Sequence, residues 1–177
     1  MMKKVVSISL IFLLFFAIGC APSKPARVVV NDLLWQARSD GLILKVRINR
    51  RYCLRGQTIR LTITAINTSK KDVQIPADTG ALVYAKLWRH TATGWELVKR
   101  YPQSMVMVAS PWILKAGQSR KFVLNLPVES DWPTEEPLRL TVELNGRPDL
   151  VAKGLIKVFA DKAEYEEYMG KSNSGRQ

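Results

Sequence analysis

The sequence predicts an all-β protein, an antiparallel β-sandwich of about eight short strands. Three observations lead to this class. From Val28 onward, apolar and polar residues alternate with a period of two, turn signals separate the alternating runs, and no amphipathic helix interrupts the body of the chain. The chain of 177 residues, less the 19 predicted below to be removed, leaves about 158, enough for one domain with its own core.

The first twenty residues have the pattern of an exported precursor. Two lysines precede an uncharged apolar run over residues 5–18, which has the length of a signal-peptide core and is short for a membrane span. The run ends in Ala17-Ile18-Gly19-Cys20, which resembles the lipobox of bacterial lipoprotein precursors. The resemblance implies cleavage before Cys20 and lipidation of its thiol, with acyl chains such as palmitate as the anchor. An uncleaved membrane anchor, or an ordinary signal peptide with a chance cysteine, are the alternatives.

These signals divide the chain into four segments. We predict a cleaved signal peptide over residues 1–19, a lipidated cysteine and tether over 20–37, the sandwich over 38–160, and a short helix with a disordered tail over 161–177. Ala21 is not the aspartate that, in the familiar proteobacterial sorting rule, favours the inner membrane. The predicted location is therefore the cell envelope, on the periplasmic side of the outer membrane if the cell has two membranes.

Strands in the first half are defined by clean alternation. Over residues 42–48 the apolar positions face inward while Lys45 and Arg47 face outward, and the same alternation continues over 58–66 with Arg60 outward. Residues 67–72 predict a polar turn, whose side chains can bond the local backbone. A short strand over 73–75 follows.

The second half is predicted as hairpins and one long loop. Residues 81–88 and 95–101 are predicted to form a hairpin, and 105–109 a further strand. Phe122, Leu124 and Leu126 face inward from the next strand. Then come a loop over 127–137, strands over 138–144 and 150–159, and two helical turns over 161–169.

Four short motifs resemble one domain family. Residues 56–59, 67–69, 94–96 and 114–119 are similar to the intracellular proteinase inhibitor (BsuPI) domain family, over roughly residues 42–144. The resemblance implies an immunoglobulin-like sandwich. It also suggests an alternative function, inhibition of a proteinase by an exposed loop, for which residues 104–115 are the first candidate.

Enzyme chemistry finds little support in the sequence. His90 is the single histidine and is predicted to lie solvated in the hairpin turn. Neither a nucleophile elbow nor a phosphate-binding glycine loop is present. With Cys53 the only cysteine besides Cys20, a zinc site of histidines and cysteines cannot be assembled. We therefore predict no catalytic residues, no metal and no cofactor.

Two features leave alternatives open. The thiol of Cys53 follows Arg50 and Arg51, whose charges would lower its pKa and raise its reactivity, but a buried packing cysteine is the other interpretation. Trp88 and Trp95 flank the predicted turn and are expected to stack across the hairpin. A carbohydrate-binding platform is the alternative for these tryptophans.

Charge is strongly segregated along the chain. The formal net charge is +12, or about +10 without Lys3 and Lys4, and no acid occurs between Asp40 and Asp72. Anionic lipids, envelope polymers and acidic proteins are the expected partners, whereas an exported protein seldom meets nucleic acid. The acids of segments 129–136 and 161–167 could instead fold back and neutralise these cations. The candidate anion-binding surface comprises Lys45, Arg47, Arg50, Arg51, Arg55 and Arg60.

Taken together, the anchor signal, the sandwich and the basic surface predict a lipid-anchored envelope protein. We expect it to act as a non-catalytic binding or assembly module. The sequence makes no prediction of its oligomeric state.

Overall fold

The fold is an all-β sandwich of two five-stranded sheets, which confirms the predicted class. The computed structural model describes residues 29–31, 33–76, 81–102 and 112–174. It contains more strands than the eight or so expected, because several are only three residues long. The elements are β1 (Val29–Asn31), β2 (Leu34–Ser39), β3 (Leu42–Ile48), β4 (Tyr52–Leu54), β5 (Thr58–Asn67), β6 (Val73–Ile75), β7 (Val83–Thr91), β8 (Gly94–Tyr101), β9 (Trp112–Leu114), β10 (Ser119–Pro127), β11 (Leu138–Leu144), β12 (Val151–Phe159) and α1 (Lys162–Ser174).

Sheet 1 has the strand order β1-β2-β3-β5-β10 and is antiparallel throughout. Sheet 2 has the order β4-β12-β11-β7-β8, and only its β4–β12 pair is parallel. The chain passes from sheet 1 to sheet 2 between β3 and β4. Strands β6 and β9 form a separate antiparallel pair.

The core lies between the two sheets and is built from the alternating apolar positions. Every second residue of β3 is buried, and so is every second residue of β5 from Ile59 onward. In a pleated strand, residues two apart share a face, so burial of one face leaves the other to solvent. Among the largest fully buried side chains are Trp35, Trp132, Phe159, Leu61 and Ile63.

The sandwich begins before residue 38, the start that the sequence predicts for it. Strand β1 and the first four residues of β2 lie inside the predicted tether, residues 20–37, and Trp35 is only 1% exposed. Residues 29–31 and 34–37 therefore belong to sheet 1, and that part of the predicted tether is wrong. The reason is that β2 pairs with β3 over its whole length, from Leu34 opposite Arg47 to Ser39 opposite Leu42.

Two segments of the second half differ from their predictions: the loop between β10 and β11, and the C-terminal helix. The segment between β10 and β11 was predicted as a loop, but it places Val128 and Trp132 in the core, where Trp132 packs on Tyr101 with ring centroids 6.2 Å apart. Helix α1 runs to Ser174, so it continues through Gly170 into the segment predicted as a tail. Two of its tyrosines, Tyr165 and Tyr168, contact Phe159 at the end of β12.

Candidate functional site

The outer surface of sheet 1 carries a cluster of cations, which we call the basic face. Lys45 lies opposite Thr64 on β5, and Thr64 lies opposite Lys121 on β10. In the neighbouring row, Arg47 lies opposite Thr62. Directly opposed residues of an antiparallel pair share a face, so these side chains all point away from the core. The members of the basic face are Arg38, Lys45, Arg47, Arg60 and Lys121.

The basic face brings its charges close together. The Cα atoms of residues two apart on one strand are separated by about 7 Å, and the backbones of strands that have one strand between them by about 10 Å. The other outward positions of β2, β3, β5 and β10 are threonines, other uncharged polar residues and aliphatic residues. Within the described part of the chain, no acidic side chain lies on these strands' outer surface, and none of the five cations forms an ion pair.

Three of the six predicted site residues, Lys45, Arg47 and Arg60, lie on this face, and the other three do not. Arg50 donates through Nη1 to Oε1 of Gln57 at 2.9 Å. The Arg55 guanidinium donates to the backbone oxygen of Trp132 at 3.2 Å.

Arg51 is carried to the other sheet. Its guanidinium lies 5.4 Å from the ring centre of Tyr52 on β4, and it borders grooves on the outer surface of sheet 2. The predicted single surface of six cations is therefore wrong, because the chain changes sheets between β3 and β4. Arg38 and Lys121 replace the lost members. Lys121 could have been found from the sequence, since it alternates with the inward Phe122, whereas Arg38 lies on β2, a strand that the alternation pattern does not predict.

The acids of the loop between β10 and β11 bind a lysine of sheet 2. Lys99 donates to a carboxylate oxygen of Glu129 and, at 3.0 Å, to Asp131, while the Tyr101 hydroxyl donates to Glu129 at 3.1 Å. The Lys99 hydrogen bond lowers the pKa of Glu129 below its usual value. Burial raises the pKa of Tyr101 to about 12.

Other described acids also pair away from the basic face. Their ion-pair partners are Lys86, Arg89, Arg147, Lys162 and Lys171. Arg55, which lies outside the basic face, is close enough to Glu135 for its charge to contribute, after two backbone hydrogen bonds, to lowering the pKa of that carboxyl group. The alternative in which the acids neutralise the basic strands is therefore wrong for the described residues of the basic face.

Cys53 is a packing residue. It lies on β4, is completely buried and forms no disulfide. Burial raises the pKa of its thiol to about 12, and the nearby charge of Arg50 lowers it by less. Desolvation of the thiolate outweighs the neighbouring cation, so the reactive-thiol interpretation is wrong.

The tryptophans of the β7–β8 hairpin do not stack on each other. The register places Trp95 opposite His90 and Trp88 opposite Leu97. The Trp88 indole N–H donates to Oγ1 of Thr141 on β11 at 3.0 Å, and His90 meets Trp95 edge-on with centroids 5.2 Å apart. His90 therefore lies at the end of strand β7, and its predicted place in a turn is wrong.

Some predictions fall on residues that the structure does not describe. Cys20, the signal peptide and the strand at 105–109 lie outside the described residues, as does most of the 104–115 loop. Of that loop, residues 112–114 form β9. Within the described ranges, no helix is long and apolar enough to cross a bilayer, and no cluster of three or more potential metal ligands occurs.

Comparison with known proteins finds only solved structures of low sequence identity. No protein-family model matches the chain, and no curated protein matches it. Among solved structures, the sporulation control protein Spo0M from Bacillus subtilis is 11% identical, with a TM-score of 0.47 over 76% of this chain and 56% of that one.

Two larger proteins also align. The alkylpurine DNA glycosylase AlkC from Pseudomonas fluorescens is 13% identical, with a TM-score of 0.48 over 69% of this chain and 31% of that one. A β-glucosidase from Listeria innocua is 17% identical, with a TM-score of 0.43 over 69% of this chain and 16% of that one. The chain thus spans about half of Spo0M and smaller parts of the other two. Similarities at this level carry no argument about function.

Proposed function

We propose that this protein is a lipid-anchored envelope module that rests its basic face on the anionic headgroups of the membrane to which Cys20 tethers it. The observation that carries the proposal is the concentration of five cations on one sheet surface with no acid among the described residues there. No two cations of the basic face are directly opposed, so their mutual repulsion acts over roughly 7–10 Å and is weaker than the tenths of a kcal/mol to about 1 kcal/mol of a directly opposed pair. An anionic surface would relieve that repulsion.

The position of the tether supports this docking. Strand β1 is the first described element and the edge strand of sheet 1, the same sheet that carries the basic face. Cys20 and Val29 are nine positions apart, which allows an extended reach of roughly 30 Å. A lipid at Cys20 would therefore hold sheet 1 near the bilayer and raise the effective concentration of the face at the headgroups.

Electrostatics set the strength of such docking. Each cation near an anionic leaflet contributes about 1 kcal/mol, and screening limits the attraction to about 8 Å at physiological salt. Five cations would thus give a reversible contact that requires close approach and weakens with added salt. A reversible contact of this kind needs the lipid anchor for stable membrane attachment.

Vesicle binding tests the docking step. A chain beginning at Ala21 keeps every described element, so it can be measured without the anchor. We expect it to co-sediment with vesicles containing phosphatidylglycerol and not with pure phosphatidylcholine vesicles, and we expect added salt to release it. Replacing three cations together, Arg47→Gln, Arg60→Gln and Lys121→Gln, should reduce binding by at least tenfold, since about 1 kcal/mol is lost with each.

A second triple variant supplies a matched control. Lys70→Gln, Lys115→Gln and Lys153→Gln remove the same charge from exposed positions outside the basic face. This variant should keep most of the binding. Equal losses in the two variants would indicate a general charge effect and would contradict docking through sheet 1. Binding to a soluble anionic polymer but to no vesicle would reassign the face to an envelope polymer.

The anchor is tested separately. Cys20→Ala in the full chain should abolish incorporation of a labelled fatty acid and lipoprotein-type processing, because the thiol is the proposed acceptor. Unchanged labelling in the variant would remove the anchor from the proposal, whatever the vesicles show.

A further inference from the structure

The outer surface of sheet 2 contains a groove that the proposed membrane contact does not use. The groove has a volume of about 480 Å³ and lies on the side of the sandwich opposite the basic face. Its walls come from the β7–β8 hairpin, from β11 and β12, and from the segment before β11. Residues that define it include Arg51, Trp95, Glu136, Arg139, Lys153 and Leu155.

Arg139 and Trp95 form the rigid end of the groove. The guanidinium carbon of Arg139 lies 3.6 Å from the ring centre of Trp95, so the indole face fixes the arginine in place. His90 packs edge-on against the same indole. An arginine held in this way is pre-organised to bind a carboxylate with two parallel hydrogen bonds. Within the described part of the chain, neither Arg139 nor Lys153 forms an ion pair.

Apolar surface continues along the groove beside these cations. Leu155 lies opposite Arg139 on β12 and is 46% exposed. A second cavity of about 230 Å³ shares Arg51, Pro137 and Leu155 with the first and extends to Tyr168 of α1, which is 42% exposed. The two cavities thus lie next to each other, and we call them together the channel: it runs from the β7–β8 hairpin to α1 and is lined by both cations and apolar side chains.

From this arrangement we infer that the channel binds an extended acidic peptide segment of a partner protein, with carboxylates at Arg139 and Lys153 and apolar side chains against Leu155 and Tyr168. Charge complementarity supports this occupant, since cations outnumber the single acid, Glu136, in the larger cavity. Concave shape argues against a bilayer, because a flat surface cannot enter the channel. The length of the shared channel favours a chain over a compact molecule.

Fluorescence anisotropy with a labelled ten-residue peptide that alternates glutamate and leucine would test the inference on the chain beginning at Ala21. We expect saturable binding, at least tenfold weaker binding of the glutamine–leucine peptide, and no binding of the lysine–leucine peptide. Arg139→Gln should weaken binding about tenfold and the exposed Lys153→Gln about threefold. Glu136→Gln should strengthen binding about threefold, because it removes a like charge.

Lys121→Gln on the basic face is the matched control, and it should leave peptide binding unchanged. Should Arg139→Gln fail to fold, the inference is still tested by Lys153→Gln, which should weaken peptide binding, and by Glu136→Gln, which should strengthen it. The inference is overturned if the acidic peptide does not bind, or if Lys121→Gln weakens binding as much as Lys153→Gln. Vesicle binding should be unaffected by Glu136→Gln. Failure of peptide binding in the channel would therefore leave the proposed membrane contact of the basic face standing, and the reverse also holds.

Discussion

The indole of Trp35 lies directly over Gly154, at a point where strands of the two sheets meet across the core. A Cβ atom at Gly154 would lie 2.0 Å from Cε2 and 2.3 Å from Nε1 of Trp35. Trp35 is 1% exposed and belongs to β2, while Gly154 lies on β12 opposite Leu140. The largest core side chain of the first sheet thus fits only because the facing residue has no side chain.

We therefore expect Gly154→Ala to destabilise the fold. The added methyl group would force the indole or the strand to move, which costs about 1–3 kcal/mol in a well-packed core. The free energy of unfolding in denaturant measures this. Gly170→Ala is the matched control, because nothing lies within 4 Å of its Cβ position on α1. Replacing Trp35 with leucine in the Gly154→Ala background should recover part of the loss. An unchanged unfolding free energy in Gly154→Ala would contradict the packing argument.

Asn67 is a buried side chain that forms hydrogen bonds with several backbone groups. It is completely buried; Nδ2 donates to the carbonyl oxygens of Lys71 at 2.7 Å and Leu114 at 2.9 Å, and Oδ1 accepts from the Ser69 amide at 3.0 Å. Asn67→Ala removes all three of these hydrogen bonds at a buried position, so we expect a loss of about 2–4 kcal/mol in thermal or chemical unfolding. Asn125→Ala, at an exposed position on β10, should change stability little. Similar losses in the two variants would rule out a special role for the buried amide.

Stability should fall in acid, in part through Asp149. Arg147 binds its carboxylate twice, from Nε at 3.0 Å and Nη2 at 2.7 Å, and holds the pKa of Asp149 well below its usual value. A carboxyl group whose pKa is depressed by folding stabilises the fold above its unfolded pKa, about 3.9, and loses that contribution as the pH falls. We expect Asp149→Asn to lower the unfolding free energy at pH 7 and to differ less from the parent protein at pH 3. A difference that is the same at both pH values would contradict the linkage.

Cys53 should resist thiol reagents in the folded protein. Its burial and its pKa of about 12 keep the thiol protonated and inaccessible at pH 8. In a chain without Cys20, labelling with iodoacetamide should be slow under native conditions and rapid in denaturant, as followed by mass spectrometry. Fast native labelling would show that β4 opens readily from β12.

Much of the fold follows from local patterns in the sequence. Alternation over β3, β5 and β11 predicts which residues enter the core, because side chains two apart on a strand share a face. The same rule places Lys45 and Arg47 together on the outer face of β3. The polar turn after β5 was also predicted from its composition, and Asn67 bonds its backbone as expected.

Other features depended on contacts between distant segments. Lys121 joins the basic face only because β10 pairs with β5, and Arg51 leaves it because β4 pairs with β12. Arg139 reaches Trp95 across two strands, and Trp35 needs a glycine more than a hundred residues away. Periodicity in a sequence reports the environment of a residue along its own strand. Which strands become neighbours, and therefore which charges and rings meet, depends on pairing and packing of the whole chain, so only the tertiary structure could decide it.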